Sequence, residues 1–228
     1  MGAGNSSQRQ IHGFCQAEYE PVKKHLEKMV NERVEENVQV CAFVHGKCVL
    51  DLYSGVDQSY NSDKMQSIFS SGKSFESIVL GMLHSKGLFQ FEDKITKFWP
   101  EFGQNGKDQI TIEDVLRHES GLAWFKKSIP SIEDAWTENL KCNKVGELIE
   151  MESQHFPVNS DANTRLEYHA LTRGLILNEI VRRIDPKKRT IGEIMREEVN
   201  IDGILVGVKG NQNNSELIKI HRSKANDF

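Results

Sequence analysis

The most informative stretch of the sequence is QSIFSSGKSF, residues 66–75. Within them, Ser70 and Lys73 have Ser-x-x-Lys spacing where the connection after a predicted hairpin becomes a predicted helix. Residues three apart on a helix lie one turn apart on the same face, with roughly 5–6 Å between their Cβ atoms. The lysine amine can therefore reach the serine hydroxyl, as in a nucleophile with its base. A lysine that simply projects into solvent remains the alternative.

The residues before this stretch predict one helix and one hairpin. Apolar residues recur at helical spacing from Pro21 to Val34, and proline suits a first helical turn. Two β-rich runs, Val38–Val44 and Cys48–Tyr53, flank a turn at residues 45–47, as in a hairpin. Because a hairpin alone is a marginal sheet, these strands predict an incomplete one.

The residues after Lys73 predict a mostly helical region. A helix that ends near Gly87 is followed by candidates that begin near Thr111, Ser131 and Lys144, by a longer one over residues 171–184, and by one that Thr190 caps. The first 14 residues are expected to be flexible. The chain is accordingly divided into the flexible residues 1–14, the helix and hairpin of 15–60, the helical region 61–208 and a polar tail, 209–228.

The composition excludes several classes of protein. The 228 residues carry 29 Lys and Arg against 33 Asp and Glu, so the net charge of −4 predicts no nucleic-acid partner. No apolar run approaches the ~20 residues of a membrane span, and no secretory signal is found. The four cysteines are irregularly spaced and are expected to be buried free thiols in a reducing, cytoplasmic compartment: Cys15, Cys41, Cys48 and Cys142.

Three familiar motifs fail at one position each. Gly72-Lys73-Ser74 resembles the end of a P-loop, but Ser67 stands where the loop needs its first glycine. No serine has glycine two residues away on both sides, as a nucleophile elbow requires. His118 begins a motif like that of zinc proteases, but Leu122 replaces the second histidine. No metal site and no cofactor are predicted.

Around Ser70 the sequence resembles the beta-lactamase-related serine hydrolases, which include class C beta-lactamases, D-alanyl-D-alanine peptidases and related esterases. The similarity covers roughly residues 20–208. It continues in order through Gly87-Leu88, Asp93-Lys94, Phe98–Phe102, Ile110–Ile112, Leu116–Leu122, Glu167–Leu171 and Gly174.

The resemblance implies an α+β fold of the beta-lactamase/transpeptidase type, with a helical region and an incomplete antiparallel sheet represented by the hairpin. It also implies acyl-enzyme hydrolysis of a small ester or amide, with Ser70 as nucleophile, Lys73 as general base and Tyr168 as proton relay. The second motif reads Tyr168-His169-Ala170 where the family usually has Tyr-x-Asn. The missing amide favours an esterase over an enzyme that acts on antibiotics. His118 is expected to be structural.

The family's third motif, a Lys-Thr-Gly or His/Trp-x-Gly strand, has no counterpart after Tyr168. Val208-Lys209-Gly210 follows the last predicted helix too closely and in the wrong register. The resemblance therefore implies a chain that lacks the C-terminal part and, with it, the second N–H donor of the oxyanion hole, whose loss costs ~10²–10³ in rate. The alternative hypothesis is a catalytically inactive truncated isoform or fragment that acts as a binding or regulatory chain.

The first residues, Met1–Ser6, fit the pattern for N-myristoylation, with Gly2 as the acceptor. An unmodified flexible start is the alternative. One acyl chain binds membranes only marginally, so peripheral membrane contact of this cytoplasmic protein is expected to be weak and to require acylation of Gly2.

Overall fold

The computed structural model describes residues 9–32, 35–56, 60–127, 131–156 and 165–207. Of these, the residues up to Ser67 form one compact unit and those from Ile68 form another. The sequence analysis places this division after residue 60. Gly2, the Val208-Lys209-Gly210 segment and the predicted polar tail lie outside the described residues.

The first unit contains a three-stranded antiparallel sheet and one helix. Its elements are β1 (His12–Cys15), α1 (Glu20–Asn31), β2 (Val38–Val44) and β3 (Lys47–Ser54), with the strands in the order β1-β3-β2. Leu50 and Leu52 of β3 pack with Leu26 of α1 in a small buried cluster. On the other face, Phe14 and Phe43 are 51% and 65% exposed. The sheet therefore buries one face within this unit.

Strand β1 departs from the expectation that residues 1–14 are flexible and that the hairpin stands alone. His12 pairs with Tyr53, which places β1 at the outer edge of β3. Gly13 makes the close approach possible, because its φ is 105° and a Cβ there would lie 2.0 Å from the carbonyl oxygen of Asp51. A four-residue strand that contains glycine shows no alternating pattern, so sequence periodicity does not reveal it.

The predicted hairpin is present, with a two-residue turn at His45-Gly46 whose φ angles of 49° and 75° are those of a tight hairpin turn. A β-bulge places Cys48 opposite Phe43, on the same face as Cys41. The cysteines are free, but Cys41 and Cys142 are exposed. The expectation of buried thiols is therefore wrong for these two. Cys41 lies on the open face of the sheet, and Cys142 lies in a turn.

The second unit is helical. Its helices are α2 (Lys73–Ser85), α3 (Ile112–Leu116), α4 (Thr137–Leu140), α5 (Lys144–Met151), α6 (Thr172–Ile184) and α7 (Ile191–Ile194). Thr111 and Thr190 each form a capping box, with Asp114 and Glu193 respectively, as their spacing predicts. Fully buried apolar residues form one core, among them Val79, Leu80, Ile112, Ile149, Ile176 and Ile180. Within the described part of the chain, no helix has the length and apolarity to cross a membrane.

A buried charge cluster joins α5 and α6. Glu179 of α6 has no solvent exposure, and its Oε2 accepts a hydrogen bond from Arg182 Nε at 2.8 Å. Arg183 also pairs with Glu179 and lies 3.9 Å from the Trp99 ring centroid. Asn143, which precedes α5, accepts hydrogen bonds from both arginines. The cluster therefore holds the two helices together through charge as well as apolar packing.

Candidate active site

Ser70 and Lys73 meet at the start of α2. Ser70 lies in the 3₁₀ turn Phe69–Gly72, and Lys73 is the first residue of the helix. Side chains three apart eclipse one another in a 3₁₀ turn. Lys73 Nζ accordingly donates to Ser70 Oγ at 3.3 Å, and it also donates to the carbonyl oxygen of Ala170 at 2.7 Å. The Ser-x-x-Lys spacing thus places an amine at an exposed hydroxyl.

The backbone immediately before Ser70 is strained. Phe69 has a φ of 45°, in the left-handed region that is unfavourable for a bulky side chain. Its side chain is 72% exposed, so burial of the ring does not offset the strain. Such outliers cluster at functional sites. Sequence reasoning missed this feature, because phenylalanine carries no preference for a left-handed conformation.

Tyr168 lies beside Lys73, in the segment before α6. Its ring centroid lies 5.2 Å from Lys73 Nζ, and its side chain is largely open to solvent. Hydrogen bonding to the Ser70 hydroxyl, followed by the Lys73 ammonium, lowers the pKa of Tyr168 below its ordinary value. The structure thus brings together the three residues that the sequence analysis selects, with hydroxyl, amine and phenol in one place.

A buried histidine anchors the Tyr168 segment. His169 Nε2 accepts a hydrogen bond from the Leu122 N–H at 3.2 Å and lies 2.8 Å from Ser120 Oγ. Because Nε2 accepts from a backbone N–H, the ring proton is on Nδ1, which faces the carbonyl oxygen of Glu167. Burial lowers the pKa of His169. Ser120 has no solvent exposure, so this serine–histidine pair is structural and gives substrate no access.

His118 supports Tyr168 directly. It follows the end of α3 with a left-handed φ of 64°, and its Nδ1 accepts the backbone N–H of His169 at 3.0 Å. Its ring lies 4.8 Å from the Tyr168 ring. Burial, followed by the charges of Arg173, His169 and Lys73, lowers the pKa of His118 to about 4. The residue predicted to be structural therefore packs against the site itself, in its neutral form.

Acidification is expected to destabilise the fold through His118. Its pKa is about 4 in the folded chain and about 6.5 in an unfolded one. Between these pH values the unfolded state binds more protons, so the free energy of unfolding falls as the pH falls. The contribution of His118 is fully present above pH ~6.5 and is lost as the pH falls to about 4. His118→Gln is expected to flatten the pH dependence of the urea midpoint between pH ~6.5 and ~5. An unchanged slope would contradict the assignment.

The comparison with protein families identifies the family of this chain. Residues 22–200 match the family model described as Beta-lactamase. The chain belongs to the beta-lactamase family. A curated relative of this beta-lactamase-family chain, the Esterase/beta-lactamase LipL of Mycobacterium tuberculosis, is 25% identical over 211 residues, which cover 90% of this chain and 47% of the relative.

Solved structures resemble this beta-lactamase-family chain in fold. A penicillin-binding protein homolog from Caulobacter crescentus is similar with a TM-score of 0.71 and 26% identity, over 83% of this chain and 50% of that one. A family VIII carboxylesterase matches with a TM-score of 0.69 and 23% identity, over 82% of this chain and 50% of its own, and this second likeness shows the fold alone. The predicted α+β fold of the beta-lactamase type is confirmed. The chain spans about half the length of these relatives.

Proposed function

We propose that this chain carries the acylation site of a serine hydrolase that cleaves small esters. The observation that carries the proposal is the 3.3 Å contact between Lys73 Nζ and Ser70 Oγ, with the Tyr168 ring centroid 5.2 Å from the same amine. A nucleophile is activated by an adjacent base, and this arrangement supplies both. The name of the curated relative, an esterase/beta-lactamase, supports the reaction class.

The chemistry assigns one role to each side chain. Ser70 Oγ bonds to the ester carbonyl carbon, and its proton passes to Lys73 Nζ, which lies 3.3 Å away. When the carbon–oxygen bond breaks, the leaving alcohol takes a proton through Tyr168. Water then attacks the acyl-Ser70 carbonyl, which releases the acid and restores the Ser70 hydroxyl.

Esters are favoured over lactam antibiotics by the residue after His169. Ala170 stands where the family's second motif usually has asparagine, so no side-chain amide extends from this position towards a substrate. Lys73 is nevertheless held, because the main-chain carbonyl of Ala170 accepts its hydrogen bond at 2.7 Å. The base keeps its position without the amide, while a contact suited to an amide substrate is lost.

The test is covalent labelling with an alkyl fluorophosphonate, read by intact mass. We expect one equivalent on the wild-type chain and none on Ser70→Ala. Ser71→Ala changes the adjacent exposed serine and is the matched control; it is expected to label like the wild type. Equal labelling of Ser70→Ala would refute the role of Ser70. A wild-type chain that is folded by circular dichroism but does not label would favour the alternative, a binding or regulatory chain without catalysis.

A further inference from the structure

A buried ion pair joins the start of α2, which follows Ser70, to the start of α6, which follows Tyr168. Arg173, in the first turn of α6, donates from Nη1 to Glu76 Oε2 at 2.6 Å. Its Nη2 donates to Ser77 Oγ at 3.2 Å, and Nη1 also lies 3.5 Å from the carbonyl oxygen of Lys73. The side chains of Arg173 and Glu76 are only 6% and 16% exposed. One guanidinium therefore contacts Lys73, Glu76 and Ser77 near the start of α2, the first of them the candidate base.

Stability alone does not explain this pair. Burying two charges is costly, and apolar replacements of buried ion pairs are often neutral or stabilising. A cation at the first turn of α6 also opposes the helix dipole, and Arg173 Nε has no hydrogen-bond partner. Burial raises the pKa of Glu76 even with the guanidinium beside it. Each of these terms lowers the net stabilisation that the pair can supply.

The backbone is shaped to accommodate the pair. A Cβ on Gly174, the next residue of α6, would lie 2.9 Å from Glu76 Oε1. A larger residue would therefore push the carboxylate away from the guanidinium. Tyr168 and Ala170 precede Arg173 by only five and three residues. The ion pair between α6 and α2 therefore lies only three to five residues along the chain from the carbonyl and the phenol that contact Lys73.

We propose that Arg173 and Glu76 are positioning residues, whose ion pair holds the Tyr168 phenol and the Ala170 carbonyl against Ser70 and Lys73. The effect on acylation rests on the proposed function, whereas the effect on Tyr168 does not. The groups that face Tyr168 are Ser70 and Lys73 from the start of α2, His118 from the end of α3 and Arg173 from α6. Loss of the guanidinium removes one positive charge near Tyr168 and is expected to loosen the contacts of Tyr168 with Ser70 and Lys73.

The first measurement needs no activity. The ionisation of Tyr168 is followed by ultraviolet difference titration, with Tyr168→Phe as the baseline. Arg173→Met is expected to move the Tyr168 midpoint to higher pH, and Arg173→Lys, which keeps the charge, is expected to recover part of the shift. Arg117→Met removes an arginine whose own side chain is 59% exposed and is expected to leave the midpoint unchanged.

The second measurement is the rate of fluorophosphonate labelling. Misplacement of a reacting group by about 1 Å can cost ~10²-fold in rate, so Arg173→Met and Glu76→Gln are expected to slow labelling by about 10–100-fold, with Arg173→Lys intermediate. A wild type that does not label, together with a shifted Tyr168 midpoint in Arg173→Met, would refute the proposed function and support the positioning role. Unchanged midpoint and rate in a folded Arg173→Met would overturn the positioning role. Where that variant does not fold, an unchanged rate in Glu76→Gln overturns it.

Discussion

Lys73→Met is expected to slow acylation of Ser70 by about 10²–10⁴-fold, the usual contribution of a general base. The substitution keeps a long side chain with good helix propensity at the start of α2 but removes Nζ, which contacts both Ser70 Oγ and the Ala170 carbonyl. The measurement is the labelling rate with an alkyl fluorophosphonate as a function of pH. The variant is expected to label more slowly than the wild type at every pH.

The matched control for this prediction lies at the other end of the same helix. Lys86 caps α2 and pairs with Glu198 at a site where the lysine side chain is 47% exposed. Exposed pairs contribute at most about 1 kcal/mol, so Lys86→Met is expected to fold normally and to label at the wild-type rate. If Lys73→Met labelled within a few-fold of the wild type, Lys73 would not be the base.

Glu179→Gln is expected to lower the free energy of unfolding of the second unit by about 3 kcal/mol, because removing one partner of a buried ion pair leaves uncompensated charge. The change leaves Arg182 and Arg183, each 15% exposed, without the carboxylate that they share. The measurement is urea denaturation followed by tryptophan fluorescence. Trp99 is buried and stacks on Arg183, so its emission reports the affected cluster.

Glu147 supplies the control for this substitution. It lies on the exposed side of α5, and Glu147→Gln makes the same chemical change outside the buried cluster. Surface substitutions of this kind usually change stability by no more than about 0.5 kcal/mol. Equal urea midpoints for the two variants would contradict the prediction, because the buried carboxylate of Glu179 would then contribute no more to stability than the exposed carboxylate of Glu147.

The sequence predicts the features that depend on neighbouring residues. The start of α5 at Lys144 and the capping box at Thr190 follow from hydrogen bonds and periodicity within a few positions. The Ser70–Lys73 contact is of the same kind, because one turn of backbone brings the two side chains together. Tyr168 entered the candidate site only through the resemblance to a family, because no local pattern connects it with Ser70.

The features that the sequence did not predict depend on contacts between residues that are far apart in the sequence. Strand β1 exists because the edge of β3 accepts it and Gly13 permits the approach. The left-handed conformation of His118 places an imidazole beside Tyr168, at a helix end where glycine or asparagine is usual. The ion pair between Arg173 and Glu76 joins residues 97 positions apart, beyond the range of any periodicity.

The 3₁₀ turn that carries Ser70 also determines the order in which the site assembles during folding. Ser70 and Lys73 are three residues apart and can meet as soon as the turn forms, on the sub-microsecond scale of local helix formation. The Lys73 contact with Ala170 joins residues 97 positions apart, so it forms only after the chain between α2 and α6 has collapsed and packed. The nucleophile and its amine therefore come together early, and Tyr168 joins them in a late step of folding.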